Sequence, residues 1–260
     1  MDNKNPRKYG TSPYSVVVVH GGPGASGEMK PVAEELSREF GVLEPLQTKD
    51  SVIGQVEELR QQITENAKKP VNLIGYSWGA WLVFIFASKY PNLVKKLILA
   101  SSGPFESEYA KGIMPTRLSR LNSEDRNKVE KLIQQIQNGD TDDNILEEFG
   151  SILAKADAFD PIEHKGGADG INMEIYQKVW PEAEELRLNG KLLEYGKNIK
   201  CPVVVIHGDY DPHPFEGVKK PIQSILKNCE FALLEKCGHK PWIEKEARDM
   251  FYQTLNRVLR

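Results

Sequence analysis

Val71-Asn72-Leu73-Ile74-Gly75-Tyr76-Ser77-Trp78-Gly79-Ala80 is the stretch that decides the fold. A short apolar run ends in Gly75-x-Ser77-x-Gly79, and a long apolar stretch over 81–87 follows at once. The order is a strand, a sharp turn carrying a serine, and a buried helix. On such a turn the serine takes a strained backbone position that lifts its hydroxyl clear of neighbouring side chains. Glycines two residues before and two after leave room where side chains would collide. The backbone N–H of Trp78, at the helix N-terminus, then points where an oxyanion forms. The five-residue pattern alone is a weak signal; the flanking strand and helix make it a nucleophile elbow.

Outward from the elbow, short β-branched runs alternate with helical patterns, which predicts a doubly wound, mostly parallel sheet covered on both faces. Ser15-Val16-Val17-Val18-Val19 is the first strand, ending in His20-Gly21-Gly22-Pro23-Gly24. A helix follows over 28–40, with Val32, Ala33, Leu36 and Phe40 at helical spacing. Gly41-Val42-Leu43-Glu44 is a second strand, 51–67 a second helix, and 93–100 the strand after the elbow helix. Between 104 and 195 the rhythm breaks. Charged helical patterns over 118–137, 144–155 and 173–193 are separated by Asn138-Gly139-Asp140 and by Gly166-Gly167-Ala168-Asp169-Gly170. So long a stretch needs structure of its own, which predicts a helical insertion over 104–195 in a core made of 1–103 and 196–260. Strand and helix alternation then resumes with Cys201-Pro202-Val203-Val204-Val205-Ile206, a helix over 216–226, a strand over 229–234 and a closing helix over 241–259.

Composition narrows the function classes. The chain has 260 residues and a formal charge of −3, with no basic footprint for nucleic acid. No apolar run approaches the roughly 18 residues that span a bilayer. Residues 1–10 lack the apolar core of a signal peptide. Cys201, Cys229 and Cys237 are odd in number and widely spaced, which predicts free thiols in a reducing compartment and a soluble, cytoplasmic protein. Oligomeric state has no sequence signature here.

In open parallel sheets the ligand site lies beyond the carboxyl ends of the strands. The strand ends supply His20-Gly21-Gly22-Pro23-Gly24, then Ser77, then His207-Gly208-Asp209-Tyr210-Asp211, then Cys237-Gly238-His239. Read in chain order they offer Ser, Asp and His, the order of a triad whose nucleophile sits on an elbow. A serine hydroxyl is a poor nucleophile until a base takes its proton. His239 suits that task, since an unperturbed imidazole has a pKa of about 6.5. A carboxylate must then orient the imidazole, and Asp209 and Asp211 both qualify. The N–H groups of Gly22 and Trp78 are the candidate oxyanion donors, each such group typically worth about 3–4 kcal/mol. His207-x-Asp209-x-Asp211-x-His213 also has the composition of a metal cluster, but Pro212 and Pro214 predict a loop, and no metal or other cofactor is expected. His20 is read as a support of the oxyanion loop, Cys237 as a small packed residue, and His164 has no partner visible in the sequence.

These residues resemble the α/β-hydrolase family over about 15–259, apart from the insertion. His20-Gly21-Gly22-Pro23-Gly24 and Gly75-Tyr76-Ser77-Trp78-Gly79 are particularly similar to motifs of proline iminopeptidases and their esterase relatives. The resemblance implies Asp211 as the acid, four residues after His207, and His239 as the base. It implies Gly22 as the second oxyanion donor, and the 104–195 insertion as a cap that selects substrate, with Tyr176 and Trp180 as substrate contacts. Two departures stand out. The iminopeptidases carry D-x-R-G-x-G where this chain has Glu44-Pro45-Leu46-Gln47-Thr48-Lys49-Asp50, and the N-terminal hairpin is short or missing.

The expectation is therefore a serine hydrolase acting on a small carboxylic ester through an acyl-enzyme. One rival is an aminopeptidase or amidase of the iminopeptidase type. It needs carboxylates for a substrate ammonium, and Glu163, Glu174, Glu182, Glu184 and Glu185 are available in the insertion. The other is a non-catalytic ligand-binding protein, which has no need of all three triad residues. Dehalogenase and epoxide hydrolase relatives place an aspartate where Ser77 stands.

Overall fold

The computed structural model describes residues 5–139, 142–162 and 170–260. Glu163, His164 and residues 166–169 of the glycine-rich separator, together with Asp140, lie outside the described residues. In chain order the elements are β1 (Arg7–Tyr9), β2 (Tyr14–Val19), α1 (Lys30–Leu36), β3 (Gly41–Glu44), α2 (Val52–Asn66), β4 (Val71–Tyr76), α3 (Trp78–Lys89) and β5 (Val94–Ala100). They continue with α4 (Ser107–Ala110), α5 (Ile113–Arg120), α6 (Ser123–Gln137), α7 (Asp143–Asp157), α8 (Met173–Leu188) and α9 (Lys191–Glu194). The chain closes with β6 (Val203–Gly208), α10 (Glu216–Ile225), β7 (Cys229–Leu234) and α11 (Arg248–Leu259).

Seven strands form one sheet in the order β1-β3-β2-β4-β5-β6-β7 among the described residues. All neighbours run parallel except β1, which pairs antiparallel with β3 through three residues. The expected leading hairpin is thus reduced to one short edge strand. Alternate valines of β2 serve opposite faces: Val17 and Val19 join the core under α2, α3, α8 and α10, while Val16 and Val18 join the core under α1 and α11. That double covering is why the strands read as unbroken apolar runs. α3 is buried on nearly every side, so its sequence shows no amphipathic stripe.

The described part of the chain between β5 and β6 is helical and adds no strand to the sheet. It divides in two by packing. α5, α6 and α7 share a separate small core around Val129, Leu132 and Leu153, whereas Ile175, Val179 and Ala183 of α8 enter the main core. The helix expected over 118–137 breaks at Leu121, whose extended backbone precedes Asn122, the residue that caps α6 by accepting from Asp125 N–H at 2.8 Å.

The closing helix expected over 241–259 is also divided, into a 3₁₀ turn at Pro241–Ile243 and α11. The reason is Glu244. Its fully buried carboxylate accepts from Gly238, Phe159 and Asp160 N–H groups, each at 2.9 Å. This fastens the end of α7 to the loop that carries His239.

Candidate active site

The carboxyl ends of β2, β4, β6 and β7 deliver their loops to one edge of the sheet. Ser77 joins β4 to α3 with φ 53° and ψ −119°, a conformation that costs about 1–3 kcal/mol for a non-glycine residue. Its surroundings impose that shape. Ser77 N–H donates to Ala100 O at 3.1 Å, and a Cβ on Gly75 would lie 2.3 Å from Gly79 O. A Cβ on Gly79 would in turn lie 2.4 Å from His20 O. Glycine is required at both positions because the strand, the helix start and the β2 loop touch backbone to backbone.

His239 Nε2 lies 3.2 Å from Ser77 Oγ, and His239 Nδ1 lies 2.8 Å from Asp211 Oδ2. The structure therefore brings Ser77, His239 and Asp211 into one hydrogen-bonded line. Asp209 is turned elsewhere; its Oδ1 accepts from Cys237 N–H at 3.1 Å and ties the two loops together. The second oxygen of Asp211 accepts from His213 N–H at 2.9 Å and from His213 Nδ1 at 2.8 Å. His207 Nε2 stands 3.4 Å from Oδ2 and donates to His213 O at 2.7 Å.

Burial, the largest influence on Asp211, acts to raise its pKa. The fields of His239, His207 and His213 and the His213 hydrogen bond outweigh it and hold the carboxyl well below its ordinary value. Asp211 is thus an anion ready to orient an imidazole. His213, whose ring lies 4.4 Å from that of His239, is pushed down to about 4 by burial and by its neighbour His239, against the pull of Asp211. It is neutral near pH 7, with Nδ1–H donating to Asp211.

Asp211, His213 and His239 have ligand-type atoms within 4.8 Å of one another. In the arrangement present, both Nδ1 atoms carry protons directed at the carboxylate and His239 Nε2 faces Ser77. Asp209 and His207, the other members of the alternating pattern, are directed at Cys237 N and His213 O.

Trp78 is the first residue of α3, so its N–H has no acceptor within the helix. Gly22 lines the same cavity as Ser77 and His239. Gln47, from the segment that departs from the iminopeptidase pattern, ties the loop after β2 to the Trp78 side chain at the start of α3. Its Oε1 accepts from Gly24 N–H and from Trp78 Nε1–H, both at 3.1 Å, and its Nε2 donates to His20 O at 2.9 Å. Gln47 N–H donates to His20 Nε2 at 3.3 Å, which leaves the proton of this buried imidazole on Nδ1, 2.9 Å from Gly21 O. Burial lowers the His20 pKa, consistent with a neutral ring that supports the loop. The sequence alone marks Gln47 only as a substitution for a missing motif.

Gln47→Ala is expected to lower kcat by ~10², the scale for small displacements of an oxyanion donor, with KM changing by less than about threefold. Steady-state kinetics on a protein with a wild-type melting curve checks this. A change confined to KM would remove Gln47 from oxyanion positioning.

Two cavities meet at Ser77. The larger, about 580 Å³, is lined by Met114, Phe149, Leu153, Met173 and Tyr176, and by Gly22 and His239 at its base. The smaller, about 240 Å³, is lined by Trp78, Trp81, Trp180, Arg187 and His213. Tyr176, Trp180 and Trp81 form a near-parallel stack, with ring centroids 6.0 and 5.8 Å apart. The two expected substrate contacts thus line one cavity each. Both acidic residues on the larger cavity are already paired. Glu28 meets Lys240 at 2.8 Å, and Asp157 takes a two-pronged contact from Arg117, both bonds 2.7 Å. Glu174, Glu182, Glu184 and Glu185 line neither cavity; Glu182 accepts from Val52 N–H at the start of α2. Cys237 is fully buried and burial pushes its thiol pKa up, so it is packing and not a nucleophile. No helix among the described residues is long and apolar enough to cross a membrane.

Comparison with known proteins gives a consistent picture. The family described as alpha/beta hydrolase fold matches residues 48–246. The proline iminopeptidase of Lactobacillus helveticus (strain DPC 4571) is 24% identical, aligned over 88% of this chain and 85% of that protein. The crystal structure of VinJ superposes with a TM-score of 0.74 at 20% identity, covering 98% of this chain and 93% of that one. That of Paleococcus ferrophilus monoacylglycerol lipase gives 0.62 at 20% identity, covering 98% and 97%. The structural matches, at such identity, speak for the fold.

Proposed function

This chain belongs to the α/β-hydrolase family, and from that premise we propose that it is a serine hydrolase cleaving a small carboxylic ester through an acyl-enzyme. The observation that carries the reading is the line Ser77 Oγ–His239–Asp211, with separations of 3.2 and 2.8 Å. Ser77 Oγ attacks the ester carbonyl while His239 Nε2 takes its proton. The oxyanion is held by the Trp78 and Gly22 N–H groups. The C–O bond to the alcohol breaks as His239 returns the proton to the departing oxygen. Water, deprotonated by the same imidazole, then releases the acid and regenerates Ser77. The proposal needs neither metal nor cofactor, and its partner is a small-molecule substrate. The helices over 104–195 act as the cap, a role supported by Met114, Phe149, Tyr176 and Trp180 on the cavity walls. Three free cysteines support a reducing, cytoplasmic setting.

Ester preference over aminopeptidase activity rests on charge. An α-ammonium in a partly buried site needs a carboxylate to itself. The lining of the smaller cavity includes no carboxylate, and Glu28 and Asp157, the carboxylates on the larger, are each held by a cation. The aminopeptidase reading, favoured by the iminopeptidase relatives, is tested directly with unactivated substrates. Short- and medium-chain alkyl esters are expected to be hydrolysed with Ser77-dependent kinetics, and prolyl dipeptides to be cleaved at least tenfold more slowly. Efficient proline release from such dipeptides, lost in Glu28→Gln, would reverse the assignment.

A further inference from the structure

The smaller cavity carries a charge that the ester reading leaves unused. Arg187, on α8, is 8% exposed and lines this cavity together with Ser77. One terminal nitrogen donates to Glu184 Oε1 at 2.8 Å from the outer side, where Glu184 is 44% exposed. The guanidinium lies 5.5 Å from the centre of the Trp81 ring. Its Nε is buried and has no hydrogen-bond partner. A buried N–H left in that state is a destabilising feature unless something fills it. Burial lowers the Arg187 pKa, while Glu184 acts in the opposite direction. The other cation on this cavity, Arg117, is already engaged by Asp157 through two bonds. Arg187 therefore has an unanswered donor on the wall of a chamber whose other wall is the nucleophile.

The chemistry at Ser77 assigns the two chambers to the two halves of an ester. The departing oxygen must receive its proton from His239, which lines the larger cavity and not the smaller. The alcohol thus occupies the larger, mostly apolar chamber, and the acyl group is left with the smaller one. At about 240 Å³ that chamber lies below the ~300 Å³ at which pockets for drug-sized ligands begin, so it suits a short acyl chain. Trp81 and Trp180 give the chain flat apolar walls, and Arg187 is the cation on this lining that no carboxylate holds through two bonds.

We propose that the substrate is a half-ester of a short dicarboxylic acid: its esterified carboxyl sits at Ser77 and its free carboxylate binds Arg187. This rests on the serine esterase reading and adds the substrate class. Arginine suits the task because its planar donors match a carboxylate edge, and a charge-assisted bond in a buried site discriminates strongly against a neutral methyl end. Hydrolysis by the steps already given releases the dicarboxylic acid and the alcohol.

The test compares mono-p-nitrophenyl glutarate with p-nitrophenyl valerate, equal in acyl chain length, after subtraction of spontaneous hydrolysis. Wild-type kcat/KM is expected to favour the glutarate ester at least tenfold, mainly through KM. In Arg187→Met the ratio should fall to about one or below, and in Arg187→Lys it should be intermediate. Free glutarate should inhibit wild-type protein competitively at a concentration at least tenfold below valerate, a measurement that does not depend on the variants folding. Equal kcat/KM for the two esters in wild-type protein, equal inhibition by the two acids, or a preference retained in a folded Arg187→Met would overturn the proposal. Hydrolysis of neither ester would instead sink the esterase reading, so the two failures are distinguishable.

Discussion

Ser77→Ala is expected to lower ester turnover by ~10⁶ and to abolish labelling by a fluorophosphonate, while the protein melts within a few degrees of wild type. The size follows from the geometry. The nucleophilic oxygen is gone, and the remaining donors at Gly22 and Trp78 sustain only the ~10³–10⁴ acceleration over water that such sites give without a nucleophile. Folding should survive for two reasons. The hydroxyl bonds to His239 Nε2, which faces the cavity, so its loss strands no group within the core. The strained φ of 53° is imposed by the crossing at Gly75 and Gly79, and alanine meets it at about the cost serine does. Mass spectrometry of labelled protein and initial rates with an alkyl ester read both effects. Near-normal turnover by a folded Ser77→Ala protein would end the serine mechanism.

The strands from β2 onward and the candidate triad are legible in the sequence because each depends on local chemistry. β4, β6 and β7 are short apolar runs closed by a loop residue of distinctive type, and parallel topology carries all the closing residues to one edge. Choosing between Asp209 and Asp211 is beyond the residues themselves: the two lie two positions apart in one loop, and only the fold turns one to His239 and the other to Cys237 N–H. Gln47 was less visible still. Its contacts join the loop after β2, the start of α3 and the loop after β3, a meeting of segments that no spacing encodes. Charge in the helical segment misled in a specific way. The sequence offers glutamates at helical spacing as candidate amine ligands, yet Glu182 faces a helix end, Glu174 a lysine and Glu184 an arginine, and Glu185 is exposed. The residue that faces the cavity is their neighbour Arg187, one helical turn from Glu184.

Asp209 and Asp211 give the second large effect and the clearest contrast. Asp211→Asn is expected to reduce kcat by ~10⁴, as when a triad imidazole loses its orienting carboxylate and rests in the wrong tautomer. The surroundings of Asp211 give the amide no harmless orientation. One oxygen faces His239 Nδ1–H; the other faces the N–H and Nδ1–H of His213. An amide NH2 turned towards His239 demands an acceptor at Nδ1 and moves the proton to Nε2, where the nucleophile needs a base. Turned towards His213, it opposes two donors and costs about 1–3 kcal/mol, read as a lower melting temperature. Rates should therefore be taken well below that temperature. Asp209→Asn retains an amide oxygen for Cys237 N–H and should change kcat by less than about tenfold. A chelator should leave both wild-type and Asp209→Asn rates unchanged. A reversed pair of effects would transfer the orienting role to Asp209. Chelator inactivation with rescue by zinc would instead recast Asp211, His213 and His239 as ligands, because the same three side chains lie close enough to hold an ion.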